Sequence, residues 1–423
     1  MSKVELSERD KSILKGGEGK ARQTAMRILL RMAELQGAPR LIDIKRAHID
    51  GCIYTGEASL TFAEALAEQG GRVSVPTTMN AISIDRKRWR GQGVDPTFAH
   101  MADRLASAYE RMGCKPTFTC APYQLPEPPV FGEHIAWAES NAIVFANSVI
   151  GARTNRYGDL MDICAALTGR VPLSGYHLDK ERLGTVLIEL PDLGPLDSTF
   201  YPVLGYLVGN RVGNGVPVIH GLSDKPSTDD LKALGAALAT GGAVGMFHIV
   251  GITPEASTIE EAFGCTAPPD RWQVTRDELA AAWKKLSTAN EQKLDLVLMG
   301  SPHLSLAECF QLAEIAEEKQ CHPKVGVLIT TSQFVYEEAR NAGILSKIEN
   351  FGASFVTDTC LCMISPIVPD QTRTIMTNSG KFAHYGPGLL DREIYFGSMA
   401  DCVHSAVQGK PVISEPTWLT SRK

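Results

Sequence analysis

The sequence predicts an α/β fold built on parallel sheets, and three observations carry that prediction. In the last third, "LDLVLMG" near 294, "KVGVLIT" near 324 and "ASFVTDT" near 353 are short apolar strands about thirty residues apart, separated by helices "SLAECFQLAEIAEEK" and "SQFVYEEARNAGIL". Strands spaced in this way require right-handed βαβ crossovers, and so pair in parallel. Residues 41–172 also alternate strand-like and helix-like stretches. Finally, 44% hydrophobic and 21% charged residues with a mean hydropathy of −0.06 describe an ordinary globular chain, and 423 residues allow two or three such units.

In chain order, "SERDKSILKG" and "KARQTAMRILLRMAELQG" read as helices whose apolar positions recur at helical spacing and stop at Gly37. Between them "GGEGKA" looks like part of a phosphate loop, but Lys20 is followed by Ala21 rather than Ser or Thr, which rejects nucleotide binding there. Next come a strand "RVSVPTT", a helix "DPTFAHMADRLASAYERMG" and a strand "KPTFTCAPYQ" ending at Cys120. The proline-rich loop "YQLPEPPVFGE" precedes "IAWAESNAIVFANSVIGA", which reads as a helix with small residues on one side. Residues 173–290 mix strands such as "GTVLIEL" and "GAVGMFHIVG" with glycine-rich loops and two helices. The last third adds a fourth strand, "TRTIMTN", and Ser305 with Glu308 forms a capping box at its first helix. Lobes of 1–172, 173–290 and 291–423 are expected, without internal repeats or low-complexity linkers.

A net charge of −6, with Lys and Arg spread along the chain, leaves no electrostatic footprint for nucleic acid or anionic lipid. The charged N-terminus excludes a secretory leader, and no apolar run approaches the roughly 20 residues of a spanning helix, so a cytoplasmic location is expected. In that compartment the ten cysteines are expected as free thiols. Their spacing shows no C-x-x-C, and His303, His322, His384 and His404 are scattered singly, which disfavours zinc.

Ligands of an open parallel sheet bind beyond the carboxyl ends of its strands. Those ends read Ser301-Pro-His303, Thr330-Thr-Ser332, Thr357-Asp-Thr-Cys360 and Thr377-Asn-Ser-Gly-Lys381. They suit a small polar ligand held by hydrogen bonds, although ordinary turn chemistry favours many of the same residues. Cys52, Cys114, Cys164, Cys265, Cys309 and Cys321 lie in helices or apolar stretches and read as packing thiols. Cys120 and Cys360 each close a strand among polar residues, and Cys402 lies near a helix start, where the dipole favours a thiolate. Three such thiolates can hold an iron–sulfur cluster and leave one iron without a protein ligand. Cys362 shares a strand face with Cys360, so it can assist that residue, replace it, or be core; a disulfide between positions two apart would be strained.

Seven stretches together resemble the large component of aconitase X, a divergent branch of the aconitase superfamily. They are "HIDGCIYTGEASLTFAEAL", "VPTTMNAISID", "TCAPY", "GEHIAWAESNAIVFANSVIGARTNRYGD", "VTDTC", "TNSGKFAHYGPG" and "DCVHSAVQGK". The resemblance covers nearly the whole chain. It implies an aconitase-like core of α/β/α lobes around an iron–sulfur cluster, and a dehydratase activity. Carried over by motif, it implies Cys120, Cys360 and Cys402 as cluster ligands, with [2Fe-2S], [3Fe-4S] and [4Fe-4S] forms all left open. It also implies substrate contacts from Gly51, Cys52, Ile53, Asn80, Ala81, Glu139, Ser140, Asn141 and Lys381, with Lys381 and Ser140 taking part in catalysis. Arg153 and Arg156 are further candidates, with a surface role as the alternative for each.

The superfamily also uses a small swivelling domain that carries a catalytic serine. No segment of the chain matches it, so a separate small subunit is expected as partner. The family acts on cis-3-hydroxy-L-proline in its bacterial branch and on mevalonate 5-phosphate in its archaeal branch. The loop "HIDGCIYTG" looks like the bacterial pattern: Cys52 and Ile53 stand where the archaeal "SGVSY" loop has Val and Ser, and they make a poor phosphate cradle. A phosphomevalonate dehydratase and a non-catalytic iron–sulfur sensor are the alternatives.

Overall fold

The computed structural model describes residues 4–363 and 367–420. The chain divides into two units, one of residues up to 90 and 94–183, the other of residues 91–93 and 184 onward. Among the described residues, no helix is long and apolar enough to cross a membrane.

The first unit opens with α1 (Glu8–Leu14), where the Ser7 hydroxyl accepts from the Asp10 N–H and the Asp10 carboxylate accepts from the Ser7 N–H. Helix α2 (Lys20–Leu35) buries Ala21, Ala25, Met26, Leu29 and Ala33 along one face. There follow β1 (Leu41–Asp43), β2 (Ala47–Ile49), α3 (Glu57–Glu68), β3 (Thr77–Met79), α4 (Pro96–Arg111), β4 (Ala136–Trp137), α5 (Ser140–Phe145), α6 (Met161–Thr168) and β5 (Arg170–Pro172). Strands β1 and β5 pair antiparallel, while β3-β2-β4 form a parallel sheet in which Ile49 faces Met79 and His48 faces Trp137. Arg170 locks the first strand pair to α1 through two 3.0 Å contacts with the fully buried Asp10.

Three expectations shift here. The strand expected at "RVSVPTT" begins only at Thr77. "KPTFTCAPYQ" forms no strand: Lys115 makes a single bridge to Thr78, and the Thr119 N–H donates to the Met79 carbonyl at 3.2 Å. The helix expected across "IAWAESNAIVFANSVIGA" begins as β4, passes into α5 and ends in a wide turn, Ala146–Ile150. Small apolar residues suit either state, and pairing with β2 claims the first of them.

The second unit contains β6 (Val186–Glu189), α7 (Phe200–Val212), β7 (Pro217–His220), α8 (Thr228–Gly241), β8 (His248–Ile249), α9 (Ile259–Ala262), β9 (Arg271–Gln273) and α10 (Arg276–Lys285). Four helices therefore stand where two were expected. Strands β8-β7-β6-β9 form a parallel sheet. Helices α7 and α8 approach so closely that a Cβ on Gly205 would meet the Leu234 carbonyl at 2.5 Å.

Beyond them run β10 (Leu296–Met299), α11 (Leu306–Ala316), β11 (Gly326–Thr331), α12 (Gln333–Asn341), α13 (Leu345–Phe351), β12 (Ala353–Thr357), β13 (Thr374–Thr377), α14 (Gly380–Leu390), β14 (Glu393–Phe396) and α15 (Met399–Gln408). The four expected strands are present, the Ser305–Glu308 capping box is formed, and β14 completes the parallel order β12-β11-β10-β13-β14. All four residues of β10 are buried, as a central parallel strand covered on both faces requires. Its core unites Val297, Met299, Ile329, Phe355 and Met376 with Leu312 of α11 and Val403 of α15.

Gly300 ends β10 at φ +108°, and a Cβ there would lie 2.1 Å from the Thr330 carbonyl oxygen. Gly300→Ala therefore combines backbone strain with a clash that no side-chain rotation relieves. It is expected to lower the unfolding free energy by roughly 2–4 kcal/mol in urea titrations; a midpoint equal to wild type would refute this account of the turn.

Candidate active site

In the first unit the carboxyl ends of β2 and β3 lead directly into Asp50 and Asn80, and that of β4 leads through Ala138 into Glu139. The loop after β2 is pinned from beneath by Asp162, which has no exposed surface. Its Oδ2 accepts the N–H groups of Asp50 at 2.6 Å and Gly51 at 3.3 Å, and its Oδ1 accepts from Ile163 at 2.6 Å. Burial outweighs these bonds and pushes the Asp162 carboxyl up to about 6. The Tyr109 hydroxyl donates to the Gly51 carbonyl at 3.2 Å.

Cys52 is fully buried, and its thiol points into the carbonyls of Asn80 at 3.2 Å, Ile49 at 3.4 Å and Ala81 at 3.7 Å. Burial, then the nearby Asp50 and Asp162, raise this thiol well above its ordinary value. It is a neutral clasp between two loops. The Asn80 amide donates to Asp50 Oδ1, and its Oδ1 accepts the Ala81 N–H at 2.7 Å.

Glu139 caps α5 by accepting the Ala142 N–H at 2.8 Å, and also accepts from the Ser140 hydroxyl at 3.2 Å and from the Asn141 amide. The same amide donates to the Cys120 carbonyl at 2.9 Å, while Asn141 Oδ1 accepts from the Tyr123 hydroxyl at 2.7 Å. Tyr123 in turn stacks on Phe145 at 3.8 Å. Gly51, Cys52, Asn80 and Ala81 are thus joined through Asp50 and Asp162 in one set of hydrogen bonds, and Glu139, Ser140, Asn141 and Cys120 in a second, while half-buried Ile53 follows Cys52 on the same loop. Arg153 is engaged elsewhere, with Asp179 and with the His177 carbonyl at 3.2 Å, and Arg156 is exposed. Asp50, Asp162 and Tyr109 had no part in the sequence expectations. The signal for Asp50 was its place next to Gly51 at the end of a strand, whereas nothing local linked Asp162 or Tyr109 to a loop more than fifty residues away.

In the second unit, β11 and β12 extend the five-stranded sheet to one side of β10, and β13 and β14 to the other. The chain therefore reverses its build direction between β10 and β13, where a crevice forms at the strand ends. A cavity of about 630 Å³ opens there, lined by Gly300, Ser301, Asn378, Ser379 and Lys381. The Ser379 hydroxyl caps α14 by accepting the Phe382 N–H at 3.0 Å and donates to the Ser301 carbonyl. This sets Lys381 in the first turn of α14, half-buried. Deeper in the wall, Lys232 is only 3% exposed and pairs with Glu308 and, at 2.9 Å, with Asp229. Burial alone would lower Lys232, but the two carboxylates win and raise it above its ordinary value.

Cys360 follows β12 in a turn that the backbone holds tightly. Asp358, at φ +64°, donates its N–H to Thr331 at 3.0 Å and accepts from the Gln333 N–H at 2.8 Å. The Thr359 carbonyl accepts from His303 Nε2 at 2.9 Å, and burial lowers His303 to about 4, so the ring is neutral. Cys360 is half-buried, as is Cys362 in the short turn Leu361–Met363.

Cys402 departs from expectation. It lies one turn inside α15, its N–H is used by the Ser398 carbonyl, and its side chain belongs to the apolar core with Met399, Val403 and Cys309. Burial, then Asp401, raises its thiol well above the usual range, so the helix start does not make it a thiolate. Among the described residues, no three His, Cys, Asp or Glu side chains are grouped as a metal site. Thiol donors of the kind an iron–sulfur cluster takes are present at Cys120 and Cys360, each beside a strand end with its neighbouring backbone held by hydrogen bonds.

Comparison with known proteins gives three family matches: the aconitase X first domain over residues 3–180, the second over 184–284 and the third over 294–408. A cis-3-hydroxy-L-proline dehydratase of Pseudomonas aeruginosa is 53% identical, over 97% of this chain and 71% of that protein. A protein of the same name from Hypocrea jecorina is 49% identical, over 99% and 71%. A phosphomevalonate dehydratase large subunit of Methanocaldococcus jannaschii is 36% identical, over 94% and 98%. Among solved structures, the holo-form of an aconitase X from Thermococcus kodakaraensis matches with a TM-score of 0.86 at 34% identity, covering 95% of this chain and all of that one.

Removing the Asp162 carboxylate strands three backbone N–H groups. Asp162→Ala is expected to lose roughly 2–4 kcal/mol of unfolding free energy, and Asp162→Asn, which keeps an acceptor oxygen, clearly less. Its folded value of about 6 lies above the ordinary value of about 3.9. The folded state therefore binds this proton more tightly, and the group's contribution to stability falls as pH rises from about 4 to about 6. Urea titrations across that window should show a shallower decline for Asp162→Asn than for wild type; identical slopes would remove Asp162 as the titrating group.

Proposed function

Because the chain belongs to the aconitase X family, we propose that it is the large component of an iron–sulfur-dependent hydro-lyase that dehydrates cis-3-hydroxy-L-proline. The observation that carries this substrate is the higher identity, over nearly the whole chain, to two dehydratases of that name than to the archaeal large subunits. The proposed cluster ligands are Cys120, Cys360 and Cys402, with half-buried Cys362 as the alternative to the core-packed Cys402. Such a cluster supplies a Lewis acid for the departing hydroxyl.

The reaction removes the C2 proton and the C3 hydroxyl as water, leaving a C2=C3 double bond conjugated with the ring nitrogen. Transfer of a proton from nitrogen to C3 then yields the cyclic imine, a pyrroline-2-carboxylate. Lys381 is proposed to neutralise the substrate carboxylate, where charge builds as the C2 proton leaves. Asn80, Ser140, Asn141 and the backbone N–H groups near Gly51 orient the polar groups of the ring. The clasp made by Cys52 and the cap made by Glu139 hold these donors before substrate arrives, so little reorganisation is needed at the moment of reaction. The proposed base is the serine of a swivelling domain carried by a small subunit, and the name large subunit borne by the archaeal relatives supports such a partner. A cytoplasmic location is proposed on the same footing.

The deciding experiment assays anaerobically prepared two-chain enzyme on cis-3-hydroxy-L-proline and on mevalonate 5-phosphate. Turnover of the second substrate alone would establish the archaeal-type activity instead, and a coloured complex inert on both would favour a sensor. Lys381→Ala is expected to cut kcat by on the order of 100-fold with the visible absorption of the cluster intact; loss of the absorption would assign Lys381 a structural role. Cys120→Ser and Cys360→Ser should each bleach the protein. If Cys402→Ser keeps the full absorption, Cys402 is core and Cys362 takes its place. A folded, iron-free wild type would end the cluster assignment.

A further inference from the structure

We propose that Asp50 is the counter-ion of the substrate's ring ammonium, and thereby selects a cyclic amino acid over a ligand that lacks a cationic nitrogen. The inference rests on the function proposed above and names a residue for the positive charge of the ring nitrogen.

Asp50 stands at the tip of β2, the middle strand of β3-β2-β4, between Asn80 on one neighbour and Glu139 on the other. It is half-buried, while Asn80 and Glu139 on either side are 2% and 5% exposed, so among the three residues that follow these strand ends Asp50 offers the carboxylate a ligand can reach. Its position is fixed at two points: the backbone N–H by Asp162 and one carboxylate oxygen by the Asn80 amide. A bond from a neutral amide orients the carboxylate without supplying charge.

The charges that act most strongly on Asp50 are those of Glu139, Asp159 and Asp162, all acidic. Burial and these three push its carboxyl well above the usual range, against the smaller opposing effect of Asn80. Asp50 itself therefore has a need for positive charge beside it. A secondary ammonium meets it, because a cation beside Asp50 lets the carboxyl ionise and leaves a charge-assisted hydrogen bond in a partly dry setting. The same field opposes a phosphate, which would add negative charge where four carboxyl groups already gather. Cys52 does not compete for this role, since its thiol is committed to backbone carbonyls.

The test compares two ligands of the same shape in the anaerobic two-chain enzyme. L-Proline carries the ring ammonium, (S)-tetrahydrofuran-2-carboxylate has an ether oxygen in its place, and neither has a hydroxyl to eliminate. Calorimetry on wild type should show L-proline binding roughly 10- to 100-fold tighter, and Asp50→Asn should bring that ratio close to one. The same variant should raise KM for cis-3-hydroxy-L-proline by about tenfold or more, with a smaller change in kcat. Asp50→Ser, also neutral but smaller, should give the same ratio, and serves if the asparagine variant folds poorly by its melting temperature. A variant that keeps the wild-type ratio, or weakens both ligands equally, overturns the proposal. So does a wild type that dehydrates cis-3-hydroxy-L-proline yet binds both analogues alike, which leaves the proposed function standing. A wild type inert on that substrate overturns the function, and this inference with it.

Discussion

The carboxylate of Asp162, sealed from solvent, accepts the N–H groups of Asp50, Gly51 and Ile163, and the site in the first unit depends on that arrangement. A loop leaving a strand needs partners for its backbone donors, and water would normally provide them. Here one side chain from the start of α6 provides them instead, so the chain turns at Gly51 in a single way. Everything above the loop inherits this order. Cys52 can then reach the carbonyls of Asn80 and Ala81, and Asp50 can meet the Asn80 amide.

The cost of this support is a buried carboxyl whose proton is held more tightly than in water. Local stability is given up to keep backbone donors in place, a trade often found where residues must be positioned before a ligand arrives. The second unit uses a carboxylate in the same way at Asp358, which accepts the Gln333 N–H, and neutral groups elsewhere. Ser379 caps α14 and ties it to Ser301, and His303, kept neutral by burial, holds the Thr359 carbonyl next to Cys360. Where it buries a cation, at Lys232, two carboxylates balance it.

How much of this was legible in the sequence varies by region. The strands of the five-stranded sheet were plain, because a parallel strand covered on both faces is an uninterrupted apolar run, as "LVLM" in β10 is. Ser305 and Glu308 announced a helix start because a capping box is local. The first unit was harder. Its sheet strands are two or three residues long, and the segment before Cys120 runs beside β3 with only one bridge. Periodicity carries little signal over so few residues. The surroundings of Cys402 were hidden in another way: its place near a helix start is local, but that its face turns into the core depends on distant segments.

By itself, then, the sequence determined the α/β class, the parallel strands of the last third and, through its motifs, the family to which the chain belongs. These rest on composition, on local periodicity and on residue order, all of which survive in an unfolded chain. The tertiary structure alone decided that Asp162 would hold a loop 112 residues away, that Cys52 would be a clasp, and that Asp50 would sit among three other acids at a strand tip. Those facts arise from burial and from hydrogen bonds between distant segments. A carboxyl group or a thiol takes its character from its surroundings, and the surroundings exist only once the chain has folded.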